Sequence, residues 1–453
     1  MDLSVILIKA AQLILSLSIL VVLHEFGHFI TAKMFKCRVE KFYLFFDPWF
    51  SLFKKKVKDT EYGVGWLPLG GYVKISGMID ESLDKEQLKK EPESWEFRAK
   101  PAWQRLIVMI AGVTMNILLA FIIFAMILWA WGEKKVPMSG LSYGVEVRDS
   151  LGYQLGFRDG DRILAVNGER IKYFDNLNGK MLYAQQVKVK RGDSTFKLDM
   201  PQNLVAEIID MDKKGGLFAP GIPTVVDSIP PSSEAGNFGL QKNDHIVAVA
   251  NEETPLFGMV RKELHEHKGQ KVPVTVLRNG LRDTLNMQVT DKGTLGFFPL
   301  SDFQSLEKLG ALKVAHVKYG FFASFPAGVG MAYDKLSAYV RSFSLIFQPS
   351  TGAYKGLGGF GSIAKAFAPT WNWQVFWMWT AILSLILAFM NMLPIPALDG
   401  GHVMFLLYEI VSGRKPNEKF LEYAQITGMI ILLGLLLFAN GMDVWRAIQG
   451  WIG

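Results

Sequence analysis

The chain has 453 residues, 50% of them hydrophobic and 20% charged, and a mean hydropathy of +0.20. Soluble globular chains rarely carry a positive mean, and disordered chains need the reverse balance of charge and apolar content, so both classes are disfavoured. Lys and Arg number 49 against 42 Asp and Glu, a net +7. That excess is too small over this length to imply nucleic acid, and it suits a membrane protein with basic cytoplasmic loops. Cys37 is the single cysteine, so neither an intrachain disulfide nor a cysteine metal cluster can form.

Four segments are apolar enough to span a bilayer. Leu3 to Phe35 opens the chain, and its stretch Leu13–Leu23 is aliphatic except for Ser16 and Ser18. No basic region precedes it and no small-residue cleavage site ends it, so it reads as a retained span rather than a signal peptide. Leu106–Trp131 is a longer run without charge, and Phe376–Leu393 and Ile426–Phe438 follow near the C-terminus. A span needs about 20 mostly apolar residues, so the last must borrow flanks such as Leu421 and Met442. The loop between the first two spans is basic, with Lys33, Lys36, Arg38, Lys41, Lys54, Lys55, Lys56 and Lys58 early, then Arg98, Lys100 and Arg105. The positive-inside rule puts this loop in the cytoplasm. Four spans then place Trp131–Gln374 and both termini outside, and Pro394–Lys419 inside.

Within the exterior block, apolar runs shorten to strand length. Gly160-Asp161-Arg162-Ile163-Leu164-Ala165-Val166-Asn167-Gly168 returns 83 positions later as Asn243-Asp244-His245-Ile246-Val247-Ala248-Val249-Ala250-Asn251. Gly156-Phe157 precedes the first copy and Gly239-Leu240 the second, while Arg191-Gly192 follows one and Arg278-Asn279-Gly280 the other. This is an internal duplication. Each copy resembles a PDZ domain, a fold that binds extended peptides along a sheet edge. In the second copy Asn243 replaces Gly, and Ala250-Asn251 replaces Asn-Gly, which weakens any claim on its ligand groove. Two modules serving as a spacer or size filter is the alternative.

The chemistry lies inside the first span. His24-Glu25-Phe26-Gly27-His28 is H-E-x-x-H, and on a helix His24 and His28 share one face, so both imidazoles can reach one metal. Glu25 is placed to take a proton from metal-bound water, and three protein ligands plus water make the usual catalytic zinc site. Ionisable residues in a span are costly and mark function. His245, His265, His267 and His316 fall in the exterior block. Asp399 and His402 remain, in Asn391-Met392-Leu393-Pro394-Ile395-Pro396-Ala397-Leu398-Asp399-Gly400-Gly401-His402. Two prolines and two glycines forbid regular helix there. Asp399, in a loop at membrane depth, is the expected third ligand.

H-E-x-x-H in the first span, N-x-x-P-x-P-x-x-D-G-G after the third, and PDZ-like domains between the inner spans together resemble the site-2 protease family of intramembrane zinc metalloproteases over nearly the whole chain. The resemblance implies one zinc per chain on His24, His28 and Asp399, with Glu25 as catalytic base. It implies that Asn391 helps hold substrate. Gly65–Ile75 looks like the family's membrane-reentrant β-hairpin, which presents Gly70, Gly71 and Tyr72 to a substrate strand. Ala111-Gly112-Val113-Thr114-Met115-Asn116 matches the family's second-span Gly-x-x-x-Asn, with Val113 where proline is usual. The implied partners are the lipid bilayer and single-span membrane proteins, such as an anti-sigma factor or signal-peptide remnants, with no nucleic acid. The implied location is the bacterial inner membrane.

The expected fold is thus a polytopic α-helical membrane protein with four transmembrane helices and two inserted PDZ-like α+β domains. Its parts run 1–35 (first span), 36–105 (cytoplasmic loop, hairpin at about 63–79), 106–131 (second span), 140–212 and 213–300 (PDZ-like), 301–374 (interfacial), 375–402 (third span and Asp399 loop) and 403–453 (fourth span). Ser305–Tyr339 has helical periodicity with interleaved lysines and aromatics, as an amphipathic interfacial helix would, and packing against the PDZ-like block is the alternative. Rival readings are a non-catalytic membrane adaptor with a structural metal, which does not need Glu25, and a metal transporter, which should repeat metal-binding positions across the membrane.

Overall fold

The computed structural model describes residues 2–78, 91–211 and 216–452. Ile79 of the expected hairpin and Asp212 of the first expected PDZ-like range lie outside them. The chain divides into two compact units, 1–132 with 318–340 and 357–453, and 133–317 with 341–356.

The first unit is helical. Four helices are long and apolar enough to cross a membrane: Leu3–Met34, Ala102–Ala130, Trp373–Met392 and Lys419–Gln449. The last extends well beyond the apolar run read from sequence because charged flanks on both sides continue the helix. Its surface carries exposed Ile430, Ile431, Leu433, Leu437 and Phe438. In water such a continuous apolar face would drive association, whereas lipid covers it without cost. The second span lies at the centre, with Phe124, Ile127 and Ala120 packed against Ala332, Ala381 and Leu385. Close approach rests on missing side chains. A Cβ on Gly27 would meet the Ala111 carbonyl oxygen at 2.5 Å, and one on Gly328 would meet the Ala125 nitrogen at 2.6 Å. Small residues at helix crossings are the usual way membrane helices gain contact.

Two long strands, Val39–Val57 and Thr60–Ile75, pair antiparallel and fold back on themselves. Tyr43 stands opposite both Tyr72 and Gly63, while Lys55 stands opposite Tyr62. The sheet is therefore four segments wide, in the order 71–75, 39–44, 61–64, 53–57. It begins far upstream of Gly65, and the chain reverses direction between Val64 and Gly71, which both stand opposite Leu44. The expected amphipathic helix over Ser305–Tyr339 is also broken into helix Phe303–Lys308, strand Ala315–Val317 and helix Phe321–Ile346. Gly310, at φ +68°, ends the first piece.

The second unit is rich in sheet. One four-stranded sheet joins Arg162–Val166, Glu169–Arg170, Gln186–Arg191 and Ser194–Asp199; a six-stranded one is built on Thr224–Ser228, His245–Val249, Lys271–Arg278 and Leu281–Gln288. The duplication extends to side chains. Arg191 donates to both carboxylate oxygens of buried Asp161 at 2.7 and 2.8 Å and to the Gly156 carbonyl at 2.8 Å. Arg278 donates to Asp244 at 2.8 and 2.7 Å and to the Gly239 carbonyl at 2.8 Å. A buried carboxylate needs such a bidentate partner. The turns match as well. Asn167 and Gly168 have φ of 51° and 80°, and Ala250 and Asn251 have 52° and 70°. Asn tolerates this left-handed region, so the second copy keeps the turn without glycine.

Candidate metal centre

His24 and His28, one helical turn apart on the first span, are both buried. Their Nε2 atoms lie 3.2 Å from each other, and 3.2 and 3.4 Å from Asp399 Oδ2. Among the described residues, this is the group of histidine, cysteine and carboxylate side chains placed to hold a metal. A tetrahedral zinc with bonds of about 2.0–2.1 Å sets its ligand atoms about 3.3–3.4 Å apart, and the three separations bracket that value. Asp399 Oδ2 is buried and has no aligned hydrogen-bond donor despite both imidazoles being close. Two ring nitrogens and a carboxylate oxygen that converge at this spacing fit an ion between them.

The outer ring nitrogens decide which tautomer faces the centre. His28 Nδ1 lies 2.8 Å from the Val108 carbonyl oxygen. A carbonyl only accepts, so Nδ1 carries the proton and Nε2 presents its lone pair inward. His24 Nδ1 lies 3.2 Å from the buried Asn116 side-chain amide, whose Oδ1 has no other partner. A half-turn of that amide sets Oδ1 against the Nδ1 proton and fixes the same tautomer. The Asn116 backbone carbonyl accepts from Ser384 at 2.7 Å, which ties the second span to the third at this level.

Asp399 does not sit in an open loop. The third span ends at Met392, and Asp399 opens a new helix, Asp399–Ser412. Non-helical backbone is confined to 393–398, ahead of the glycines. Gly400 and Gly401 are tolerated in a first turn because the turn packs onto that segment: a Cβ on Gly400 would meet the Met392 carbonyl oxygen at 2.5 Å, and one on Gly401 the Ile395 carbonyl oxygen at 2.7 Å. At its far end this helix is tied to the second span by Arg105 and Glu409, at 2.5 Å. Asn391 Nδ2 lies 3.4 Å from His24 Nε2.

The matching family model, described as Peptidase family M50, covers residues 12–435. The chain belongs to peptidase family M50. It is a metalloprotease. It is 28% identical over 454 residues to a regulator of sigma E protease from Haemophilus influenzae, covering 96% of this chain and 98% of that one. It is 27% identical over 454 residues to Protease RseP of Yersinia pestis, with 96% and 98% covered.

In this M50 peptidase the sheet edge formed by 71–75 runs beside the first span. A Cβ on Gly71 would lie 2.7 Å from Val21 Cγ1 and 3.7 Å from Glu25 Cγ. Gly70 has φ +150° and stacks over Phe46. Tyr72 points its hydroxyl away to Asp47, donating at 2.9 Å. Gly112 and Asn116, which the sequence offers only as a second-span Gly-x-x-x-Asn match, turn out to support the centre, through the bare Cα of the first and the contact of the second with His24. The small pair Ala111-Gly112, facing Gly27 across the helix crossing, was the available signal for the first. For the second, replacing Asn116 with Leu should weaken zinc binding about 10–100-fold, while Asp, which keeps the acceptor, should retain it. Chelator competition on the purified protein measures both, and equal affinity in all three proteins would remove Asn116 from the site.

Proposed function

We propose that this protein is a zinc-dependent intramembrane endopeptidase that cleaves transmembrane segments of single-span membrane proteins. The observation that carries the reading is the convergence of two imidazole nitrogens and a carboxylate oxygen on helices apolar enough to cross a membrane. His24, His28 and Asp399 would hold one zinc per chain. Bound there, zinc would lower the pKa of water to about 7 and polarise the scissile carbonyl. Glu25 takes the proton from the attacking water and passes it to the leaving amine. A substrate helix offers no free backbone, so it must unwind locally. The edge at Gly70, Gly71 and Tyr72 then accepts it as an added strand, and Asn391, close to His24, steadies its backbone beside the centre.

The basic loop after the first span sets the orientation, with both termini and the sheet-rich unit on the extracytoplasmic side of a bacterial inner membrane. Residues 140–212 and 213–300 act there as PDZ-like domains that screen substrates. The substrate class is an anti-sigma factor or a signal-peptide remnant already trimmed of its bulk. The test is cleavage of a purified single-span reporter. The protein as isolated should carry about one zinc per chain. Stripping the metal with phenanthroline should stop cleavage, and stoichiometric zinc should restore it. Undiminished cleavage by the stripped protein would refute the reading.

A further inference from the structure

The first sheet of the second unit carries a like-charged face that its fold does not require. Along Gln186–Arg191, Val187 and Val189 enter the core, while Lys188 and Lys190 point the other way and are exposed. Lys188 pairs directly with Lys197 on one side, and Ala165 pairs with both Lys188 and Arg170. One row of cations therefore runs Arg170, Lys188, Lys197 across the four strands. In the next row Arg162 stands opposite Lys190. Like charges directly opposite on neighbouring strands are destabilising. Among the described residues none of these five cations is in an ion pair. The acid on this face, Asp199, sits at its margin and accepts a hydrogen bond from Gln186 at 2.9 Å.

The second copy of the duplication is an internal control. With Arg191 matched to Arg278, Lys188 corresponds to Thr275 and Lys197 to Thr284, and these two hydroxyls are 3.3 Å apart in a cross-strand pair. Lys190 corresponds to Leu277, Arg162 to His245 and Arg170 to Glu253. The same sheet thus forms with none of the five positive charges that the first copy holds against mutual repulsion.

The five cations line an open cavity of about 670 Å³, with Met138, Leu141 and Leu164 among its apolar walls. Four strands are about 14 Å across, and alternate residues along a strand are about 6.6–6.8 Å apart. Charges spread so widely do not converge on a single phosphate; they follow a linear polyanion. Among the described residues, no aromatic side chain lines the cavity for bases to stack on, whereas the apolar walls suit peptide side chains. We propose that this face binds an acidic, extended segment of a partner polypeptide. The proposal concerns a surface that contains none of the three residues placed to hold a metal.

The probe is a fluorescein-labelled twelve-residue peptide alternating Glu and Ala, titrated by anisotropy against the full chain in a neutral detergent. Wild-type protein should bind it at low salt and release it as screening rises, and should ignore the corresponding Lys–Ala peptide. Replacing Arg170, Lys188 and Lys197 with Gln should weaken binding by about tenfold or more. The same variant should melt no lower than wild type, because repulsion is relieved. A second variant, Lys188→Glu with Lys197→Glu, should favour the Lys–Ala peptide. No binding by wild type, unchanged binding by the Gln variant, or loss of binding together with thermal stability would overturn the proposal. So would equal competition by a thymidine dodecamer or by glycerol phosphate at matched charge.

Discussion

Replacing Glu25 with Gln should leave zinc content and thermal stability at wild-type values while slowing peptide hydrolysis by about 10²–10⁴-fold. Gln is nearly isosteric with Glu, so the helix that carries His24 and His28 keeps its packing against Ala111 and Gly112. Neither ring relies on the Glu25 carboxylate for its outer hydrogen bond: His28 uses Val108 and His24 faces Asn116. The variant therefore isolates proton transfer from metal binding. An amide cannot accept the proton from water, nor return one to the leaving amine. Single-turnover cleavage of a single-span reporter, with zinc measured on the same sample, reads both quantities. Zinc lost together with activity would make Glu25 a structural element of the centre. Hydrolysis near the wild-type rate would mean that another group is the base.

How much of this was legible in the sequence depended on how local each signal is. H-E-x-x-H is read from a single turn of helix, so its two imidazoles were visible at once. Asp399 lies far along the chain but is announced by the prolines at 394 and 396. The backbone around it was read less well. Composition rules say that glycine weakens a helix, yet Gly400 and Gly401 are helical because tertiary packing onto 392–396 needs their bare Cα atoms. The four-segment sheet was only partly visible for a different reason. Its strands carry apolar residues on both faces and bend at irregular register, so Val39–Val57 shows no clean alternation. The duplication was legible as repeated residues, but the bidentate Asp161–Arg191 and Asp244–Arg278 pairs that preserve it join positions 30 and 34 residues apart. Of the outer contacts of the imidazoles, the Val108 carbonyl carries no side-chain signal at all, and Asn116 stands in a Gly-x-x-x-Asn pattern that does not say which ring it faces.

The Gly112→Ala substitution adds one methyl group and should weaken zinc binding by about 100-fold or more, at the upper end of what disturbing the surroundings of a metal ligand does. A Cβ at Gly112 would stand 2.8 Å from both His24 Cε1 and His28 Cε1 and closer still to His28 Nε2. Something must move. Backing away of the second span is opposed by its packing on the third, through Ala381, Leu385 and the hydrogen bond from Ser384 to the Asn116 carbonyl. The rings must then rotate, which breaks the Val108 and Asn116 contacts that aim their lone pairs inward. On propensity alone Ala is better than Gly in a helix by about 1 kcal/mol, so a purely local effect would be stabilising. Gly434→Ala in the fourth span supplies that comparison, since no atom lies within 4 Å of its added Cβ. It should bind zinc and cleave like wild type. Cobalt substitution extends the test beyond affinity: the visible absorption of tetrahedral cobalt should appear in wild type and in Gly434→Ala, and be lost or shifted in Gly112→Ala. A Gly112→Ala protein with unaltered zinc affinity and cobalt spectrum would mean that the imidazoles do not meet the metal across this helix crossing, and the centre would have to be redrawn.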